Sequence, residues 1–448
     1  MNLQNKLPLI AVSIGFFIVI MDVTIVNVAL PQLAHNLNSS ISQLQWVVDG
    51  YTLTFVCFLL TAGYMADLFG SKKIYLWGIA GFILTSLGCG IAINVAMLIV
   101  FRLLQGITAA LLIPSSLALI NHSYTTEEDK ASAIAIWASS GAIAAACGPV
   151  LGGILVNYYS WRSVFLVNIP IGIIAIYLSC KYILDTVHKL QKINFDIPGQ
   201  LLIIISLAAL CFGLIEAPNL GWGSTTIITA FILFIITLLL FLIVETRHIC
   251  PVVDISLFKN AHFSASAVLG ILLNFSFYGF MFIMPLYLHT IKHFTTLQIG
   301  FALCPLMLLM LLANIISGKM CNRLGAKTPI VWGFILAAVG FFMLSILISY
   351  NLSYSTMIFP LLILGFSAAL AMPALTVVII GAAPKSKVGF ASATFNASRQ
   401  LGSLLGVAIF GTIINMVPDL NLGMTIALTI ITINCIASIS LAMFFIKK

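Results

Sequence analysis

Four charged residues lie within long apolar stretches of the sequence, where a charge is costly and therefore marks a functional candidate. They are Asp22, Asp49, Arg102 and Arg399. Burial and a nearby arginine shift the pKa of a carboxyl group in opposite directions, and their balance can bring it within reach of physiological pH. A carboxyl group of that kind can take up and release a proton. The sequence therefore makes Asp22 and Asp49, with Arg102 as the arginine nearby, the candidates for proton coupling.

Each of these residues also allows another interpretation. Asp49 lies near the predicted start of its apolar stretch, where a carboxylate stabilises the N-terminus of a helix. Asp22 lies deeper in its own stretch, where an ion pair with Arg102 would only hold the helices together. Arg399, in the segment FNASRQLGS, has no obvious acidic partner in the second half of the chain. It faces either an interhelical cavity or an anionic group of a substrate.

The elements that must position these residues follow from the composition. Charged residues make up 7% of the chain and hydrophobic residues 61%, whereas charged residues make up about a quarter of a soluble globular protein. Apolar runs of about 20 residues, long enough to cross a bilayer as helices, recur along the whole chain. The alternation typical of membrane β-barrels is missing. We therefore predict an all-α polytopic membrane protein. Turn and charged residues divide it into fourteen spans, at about 7–29, 45–66, 74–93, 96–119, 133–156, 163–184, 198–217, 225–245, 263–288, 297–317, 329–349, 355–378, 391–415 and 424–446.

The 20 Lys and Arg residues predict how these spans are oriented. With a cytoplasmic N-terminus, only Arg162 and Lys292 fall in outer loops, and only Arg102 and Arg399 fall within spans. The other sixteen lie on the cytoplasmic side, as the positive-inside rule requires. The net charge of +8 is thus spread over many loops and does not form the single basic patch of a nucleic-acid-binding protein. We expect both termini in the cytoplasm.

A short basic loop between two spans occurs twice in the chain. GYMADLFGSKK (Gly63–Lys73) returns as GKMCNRLGAKT (Gly318–Thr328), and such duplication is typical of transporters built from two related halves. The aspartate of the first copy can pair with its lysines or cap a helix, which would form a latch that breaks and reforms as the halves move. Alternatively, the lysines only anchor the topology. The predicted gating loop comprises Gly63, Asp67, Gly70, Lys72 and Lys73.

The distance between the two loop copies predicts the domain organisation. The first copy begins at Gly63 and the second at Gly318. Six spans account for about 180 residues of this interval, and the remaining residues, about 75, are enough for two extra spans with their linkers. We therefore predict a six-helix bundle at 1–184, an insertion of two spans with linkers at 185–260, and a second six-helix bundle at 261–448.

Small residues distinguish the fifth span, and aromatic residues the ninth. GAIAAACGPVLGG in the fifth span allows close helix packing and contains a proline that bends the helix, and ordinary packing explains this spacing equally well. NFSFYGFMFIMPLYL in the ninth span suits either a pocket for flat lipophilic cations or a surface that faces lipid. The candidate motif residues in the fifth span are Gly141, Gly148, Pro149, Gly152 and Gly153. The candidate substrate cavity comprises Asp22, Asp49, Trp46, Phe277, Tyr278, Met281 and Arg399.

Several motifs of enzymes and metal sites are missing from the sequence. It has no P-loop for ATP hydrolysis, no HExxH motif and no CxxC pair. Its nine cysteines are best explained as small apolar helix residues. The first apolar run has no small-residue cleavage site and is expected to be a retained span. We therefore expect a protein that is not an enzyme and has no cofactor or metal, with the proton as its only coupling ion.

Several segments resemble the Major Facilitator Superfamily, and within it the fourteen-span drug:proton antiporters of the EmrB/QacA type. MDVTIVNVALP and WVVDGYTL are similar to the family's first-span and second-span motifs, and GYMADLFGSKK to the superfamily's loop motif. RLLQGITAALLIPSSLALI is similar to the fourth-span motif associated with proton coupling, GPVLGG to the antiporter motif, and ATFNASRQLGSLLGVAI to the thirteenth span. The methylenomycin-resistance-like branch of bacterial exporters is the most similar.

The resemblance implies a major facilitator fold and proton-driven efflux of small amphipathic or cationic compounds from bacteria by alternating access. It implies protonatable or cation-binding roles for Asp22 and Asp49, a coupling role for Arg102 and a gating role for Asp67. The expected protein is a monomer in the bacterial cytoplasmic membrane. Alanine replaces the antiporter motif's usual glycine at two positions, and the tenth and thirteenth spans lack the carboxylates of dication exporters. These departures favour monovalent cations or neutral compounds. Proton-coupled import of a nutrient and a membrane sensor without transport are the alternatives.

Overall fold

The computed structural model describes residues 3–124, 126–184, 196–248, 251–384 and 387–446. Within these ranges every regular secondary-structure element is a helix. Those up to residue 182 are α1 (Leu3–Asn36), α2 (Ile41–Phe69), α3 (Ser71–Gly90), α4 (Val95–Ser123), α5 (Glu127–Tyr158), α6 (Ser163–Leu166) and α7 (Asn168–Tyr182). The others are α8 (Ile197–Leu220), α9 (Thr225–Arg247), α10 (Ala261–Thr290), α11 (Thr296–Ala302), α12 (Cys304–Leu324), α13 (Lys327–Ser349), α14 (Tyr354–Gly381), α15 (Val388–Met416) and α16 (Leu420–Phe445). A short 3-10 helix, Ile255–Lys259, precedes α10.

Thirteen of the fourteen predicted spans are confirmed as helical segments that are long and apolar enough to cross a membrane, within the described ranges, although the sixth is interrupted at Val167 between α6 and α7. The tenth predicted span is divided, because α11 ends at Ala302 and α12 begins at Cys304. A proline in the first turn of α12 starts the new helix, since proline fits that position and cannot donate the backbone bond that would continue α11. The prediction of a single helix at 297–317 was therefore wrong in this detail.

Backbone contacts divide the chain into two compact units. One comprises Met1–Ile204 and His248–Val252, and the other comprises Ile205–Arg247 and Val253–Lys448. The division falls within α8, whereas the predicted domain boundaries fall at residues 185 and 260. Residue 185 lies outside the described residues, and the three predicted domains stay a prediction.

The two units share one packing scheme. In the first, α1 packs against α5, α2 against α4, and α3 against α4 and α7. In the second, α10 packs against α15, α12 against α14, and α13 against α14 and α16. These are the same pairs in the same chain order, so the duplication seen in one loop extends over six spans of each unit.

The backbone conformation just before α2, in the first unit, recurs just before α11, in the second unit. Ser40 caps α2 and Thr295 caps α11, each in a capping box with the glutamine three residues later. Just before these caps, Asn38 and His293 have the positive φ angles 48° and 56°. These turns fix where each helix starts, and they were not identified from the sequence.

The start of α8 is attached to α2. The side-chain amide of Gln200 donates a hydrogen bond of 2.8 Å to the carbonyl oxygen of Cys57 and accepts one from Thr61. Farther along α2, the Tyr64 hydroxyl donates to the carbonyl oxygen of Pro251, at 3.1 Å. The helix with the predicted gating loop is therefore held by chain segments on both sides of α8 and α9.

Candidate functional site

The centre of the site is an ion pair between Asp22 on α1 and Arg102 on α4. The Arg102 Nη1 atom lies 2.5 Å from the Asp22 Oδ2 atom, and the side chains are 1% and 0% exposed. This ion pair is part of both interpretations that the sequence left open for Asp22, proton coupling and a purely structural role. A buried pair of this kind requires further hydrogen bonds, because the loss of hydration of two charges is large.

Two neutral residues supply those hydrogen bonds, and a third neutral residue joins the two. The Gln105 side-chain amide accepts from Arg102 Nη1 at 2.7 Å and donates to Asp22 Oδ1 at 3.3 Å. The Asn168 amide donates to the same Asp22 oxygen at 3.0 Å. Gln105 and Asn168 also donate to the Ser86 hydroxyl, at 2.7 Å and 3.2 Å. The pair is thus enclosed by a buried polar network that joins α1, α3, α4 and α7.

The sequence analysis did not identify these neutral residues. Gln105 follows Arg102 by three positions and therefore shares its helix face, which is a signal that was available. Ser86 and Asn168 lie on other helices and carry no charge, so only the packing of the helices reveals them.

Arg102 also contacts α2. Its Nε atom donates a hydrogen bond of 2.9 Å to the carbonyl oxygen of Val47. Its guanidinium lies over the Tyr51 ring, with 4.3 Å between the guanidinium carbon and the ring centroid, and 5.8 Å from the Phe165 ring. Arg102 therefore connects the carboxylate on α1 with the backbone of α2.

Asp49 has a different environment. It is the ninth residue of α2, beyond the first turn in which a helix N-terminus stabilises a negative charge. The alternative of a helix-terminal role therefore lacks support. Its side chain is fully buried, and neither carboxylate oxygen has a hydrogen-bond partner in the described part of the chain. Trp46, also a candidate, lies about one turn earlier on α2 and is partly exposed. A buried carboxylate without partners is suited to hold a proton or a cation.

The predicted gating loop has a specific backbone conformation. Gly70 ends α2 and precedes α3 with a φ of 103°, and Gly325 holds the corresponding place between α12 and α13 with a φ of 81°. Such positive φ angles favour glycine, which explains why this residue occurs in both copies. Gly63 has free space around it, because an added Cβ atom would come no closer than 3.9 Å to Pro114.

The charged residues of this loop lie at the junction of α2 and α3. Asp67 is exposed and lies within electrostatic range of His122 on α4. Lys73 lies over the Trp77 ring at 5.0 Å, and Lys72 is half-buried. The latch between Asp67 and the lysines stays a prediction.

The small residues of α5 pack against α1. A Cβ atom at Gly148 would clash with Thr24, and one at Gly152 would lie 3.0 Å from the carbonyl oxygen of Ile25. Since Thr24 follows Asp22 by two residues, this packing holds the helix that carries the carboxylate. The other predicted motif residues, Gly141, Pro149 and Gly153, are also buried in α5.

Glycines make the corresponding contact in the second unit. A Cβ atom at Gly402 or Gly406 of α15 would clash with the carbonyl oxygen of Ile271 or Phe275 on α10. Glycines therefore allow close approach of α1 and α5 in the first unit and of α10 and α15 in the second. The glycine face alone does not separate an antiporter motif from ordinary helix packing.

The remaining cavity candidates lie on α10 and α15. Met281 is buried within the protein, whereas Phe277 and Tyr278 are partly exposed and their rings contact each other edge-on at 5.3 Å. Arg399 lies within electrostatic range of Tyr278 and donates a 3.3 Å hydrogen bond to the Asn396 side chain. Among the seven candidates, Asp22, Asp49 and Trp46 belong to the first unit and the other four to the second.

Comparison with known proteins agrees with this architecture. The sequence profile of the Major Facilitator Superfamily matches residues 12–407. The methylenomycin A resistance protein of Bacillus subtilis (strain 168) is 38% identical over 91% of this chain and 87% of its own length. The multidrug export protein EmrB of Escherichia coli (strain K12) is 29% identical over 91% of this chain and 80% of its own. A crystal structure of the nucleoside transporter NupG has the same fold, with a TM-score of 0.70, 11% identity and full coverage of both chains. The protein therefore belongs to the Major Facilitator Superfamily.

Proposed function

We propose that the protein exports small amphipathic compounds across the bacterial cytoplasmic membrane in exchange for protons. The observation that carries the proposal is the buried ion pair of Asp22 and Arg102 within its neutral network. The names of the relatives, a methylenomycin A resistance protein and a multidrug export protein, support an export function. The distribution of Lys and Arg supports a cytoplasmic position for both termini.

The geometry supports a route by which a proton on Asp22 would change the conformation of the first unit. A proton on Asp22 removes the charge that Arg102 faces, while the bond from Arg102 to Val47 and the contact with Tyr51 remain. The guanidinium is then free to shift towards α2, and the amides of Gln105 and Asn168 lose a charged acceptor. Because α2 leads into the Gly70 turn, its movement reaches the gating loop. Proton binding therefore biases an equilibrium between two conformations, as alternating access requires.

Asp49 supplies a second acidic position in the same unit. Its carboxylate has no competing partner among the described residues, so a proton or a cationic substrate group can occupy it without breaking an existing bond. Export of cationic compounds would use this residue directly.

The function is tested in everted membrane vesicles from cells that express the protein, with a panel of fluorescent dyes and antibiotics. When the vesicle interior is made acidic, an exporter that exchanges protons for drug accumulates substrate inside, and the interior becomes less acidic as substrate enters. Vesicles without the protein and vesicles treated with a protonophore are the controls. A proton-coupled importer would instead move substrate out of acidic vesicles, which would contradict the proposal, as would the absence of any flux.

A further inference from the structure

Arg399 lies in a part of the chain that contains no acidic residue. No Asp or Glu occurs between Ile255 and Pro418, a stretch that includes all of α10 to α15. Arg399 is twelfth of the 29 residues of α15, so it is far from both helix ends. An arginine side chain in a protein stays charged, and a charge at membrane depth normally pairs with an opposite one.

The contacts of Arg399 leave most of its donors unused. Its Nη1 atom donates to the Asn396 side chain at 3.3 Å, which is a long hydrogen bond to a neutral group. Its Nε atom is buried and has no acceptor among the described residues. The Phe395 ring, 6.0 Å from the guanidinium carbon, offers only a weak attraction. The side chain as a whole is partly exposed, so a ligand can approach it.

The neighbouring side chains are neutral hydrogen-bonding groups. Asn274 of α10 donates to Ser403 of α15 at 3.4 Å, where glycine packing brings the two helices together. Tyr278, one turn after Asn274, lies within electrostatic range of the guanidinium. The partly exposed rings of Phe277 and Tyr278 provide apolar surface beside the charge. The set combines a fixed cation with a hydroxyl, amides and aromatic rings.

We propose that Arg399 binds the carboxylate of the transported compound, and that the substrates are amphipathic carboxylic acids. The planar guanidinium matches a carboxylate with two parallel hydrogen bonds, and the rings of Phe277 and Tyr278 contact the apolar part of the compound. This inference rests on the proposed export function and narrows its substrate class. It follows the anionic-group alternative that the sequence left open for Arg399, and it differs from the monovalent cations or neutral compounds that the family resemblance favours.

The test measures the binding of two matched probes to the purified full-length protein. One is a lipophilic fluorescent carboxylic acid, and the other is its primary amide, which has the same shape without the charge. The readout is the ratio of the two affinities in the unaltered protein and in the variants Arg399→Gln and Arg399→Lys. Arg323→Gln is the matched control, since Arg323 is an exposed arginine of the same unit.

We expect the acid to bind at least about tenfold more tightly than the amide, which corresponds to about 1.4 kcal/mol. The ratio should fall towards one in Arg399→Gln, keep an intermediate value in Arg399→Lys because lysine retains the charge, and stay unchanged in Arg323→Gln. If Arg399→Gln does not fold, the ratio of the two affinities in Arg399→Lys tests the inference by itself.

Two results would overturn the inference: equal binding of acid and amide by the unaltered protein, or a ratio in both Arg399 variants that stays at the value of the unaltered protein. The vesicle assay keeps this outcome separate from the proposed function. Proton-driven export of dyes that lack a carboxylate would support export while contradicting the carboxylate site.

Discussion

At the scale of single residues, the two buried aspartates of the first unit differ in how well their charge is compensated. Asp22 has an arginine and two amide donors around its carboxylate. Asp49 has no hydrogen-bond partner among the described residues. Removing one member of a buried ion pair leaves the other charge uncompensated, whereas removing an isolated buried charge removes a cost. The same substitution should therefore affect the stability of the protein differently at the two positions.

We expect Asp22→Asn to lower the thermal stability of the purified protein and Asp49→Asn to leave it unchanged or raise it. Loss of a partner from a buried pair costs about 3–5 kcal/mol, and the asparagine oxygen at position 22 still accepts a hydrogen bond, so the cost should be smaller. The measurement is the unfolding temperature in detergent. Glu128→Gln, at an exposed position in the first turn of α5, serves as the control and should change the unfolding temperature only slightly, by the loss of a favourable interaction with the helix N-terminus. Equal losses at positions 22 and 49 would show that Asp49 has a stabilising partner after all.

At the scale of the helices, contact between α1 and α5 holds the helix that carries Asp22. Gly148 has the side chain of Thr24 and the backbone of Ile25 directly against it. Gly318 of α12 also lies in a helix, but an added Cβ atom there meets nothing within 4 Å. The two positions therefore allow the packing role of a glycine to be separated from its general effect on a helix.

We expect Gly148→Ala to destabilise the protein by about 1–3 kcal/mol, because it forces α1 and α5 apart. Gly318→Ala should be neutral or stabilising by up to about 1 kcal/mol, since alanine is the better helix former. The unfolding temperatures of the two variants check this. If Gly148→Ala were as stable as Gly318→Ala, the close contact between α1 and α5 would be wrong.

At the scale of the whole molecule, two units share a frame and differ in chemistry. The helix pairs, the capping boxes and the glycine turns recur in both. The ion pair and the isolated carboxylate occur in the first unit, and the uncompensated arginine occurs in the second. Under the two proposals above, the first unit would carry the proton and the second would bind the anionic group of the substrate.

Much of this frame was predictable from the sequence. Long apolar runs predicted the spans, because a membrane helix must satisfy its own backbone, and the duplicated loop predicted two related halves. The break at Leu303 was missed, since the run there stays apolar across it. Only part of the polar network could be predicted from the sequence. Asp22 and Arg102 stand out because charges are rare in apolar runs. Ser86 and Asn168 are identified only by the packing of α3 and α7, which brings their side chains to the ion pair.

The most direct test of the account asks whether Asp22 carries the coupling proton. A compound identified in the vesicle screen is followed in liposomes that contain the purified protein. Two rates are measured, namely accumulation driven by a pH gradient and exchange of labelled for unlabelled compound without a gradient. We expect Asp22→Asn to abolish accumulation and to keep exchange, while Glu128→Gln keeps both. Accumulation by Asp22→Asn at the rate of the unaltered protein would contradict the account, and so would the loss of both activities, which would assign Asp22 a purely structural role.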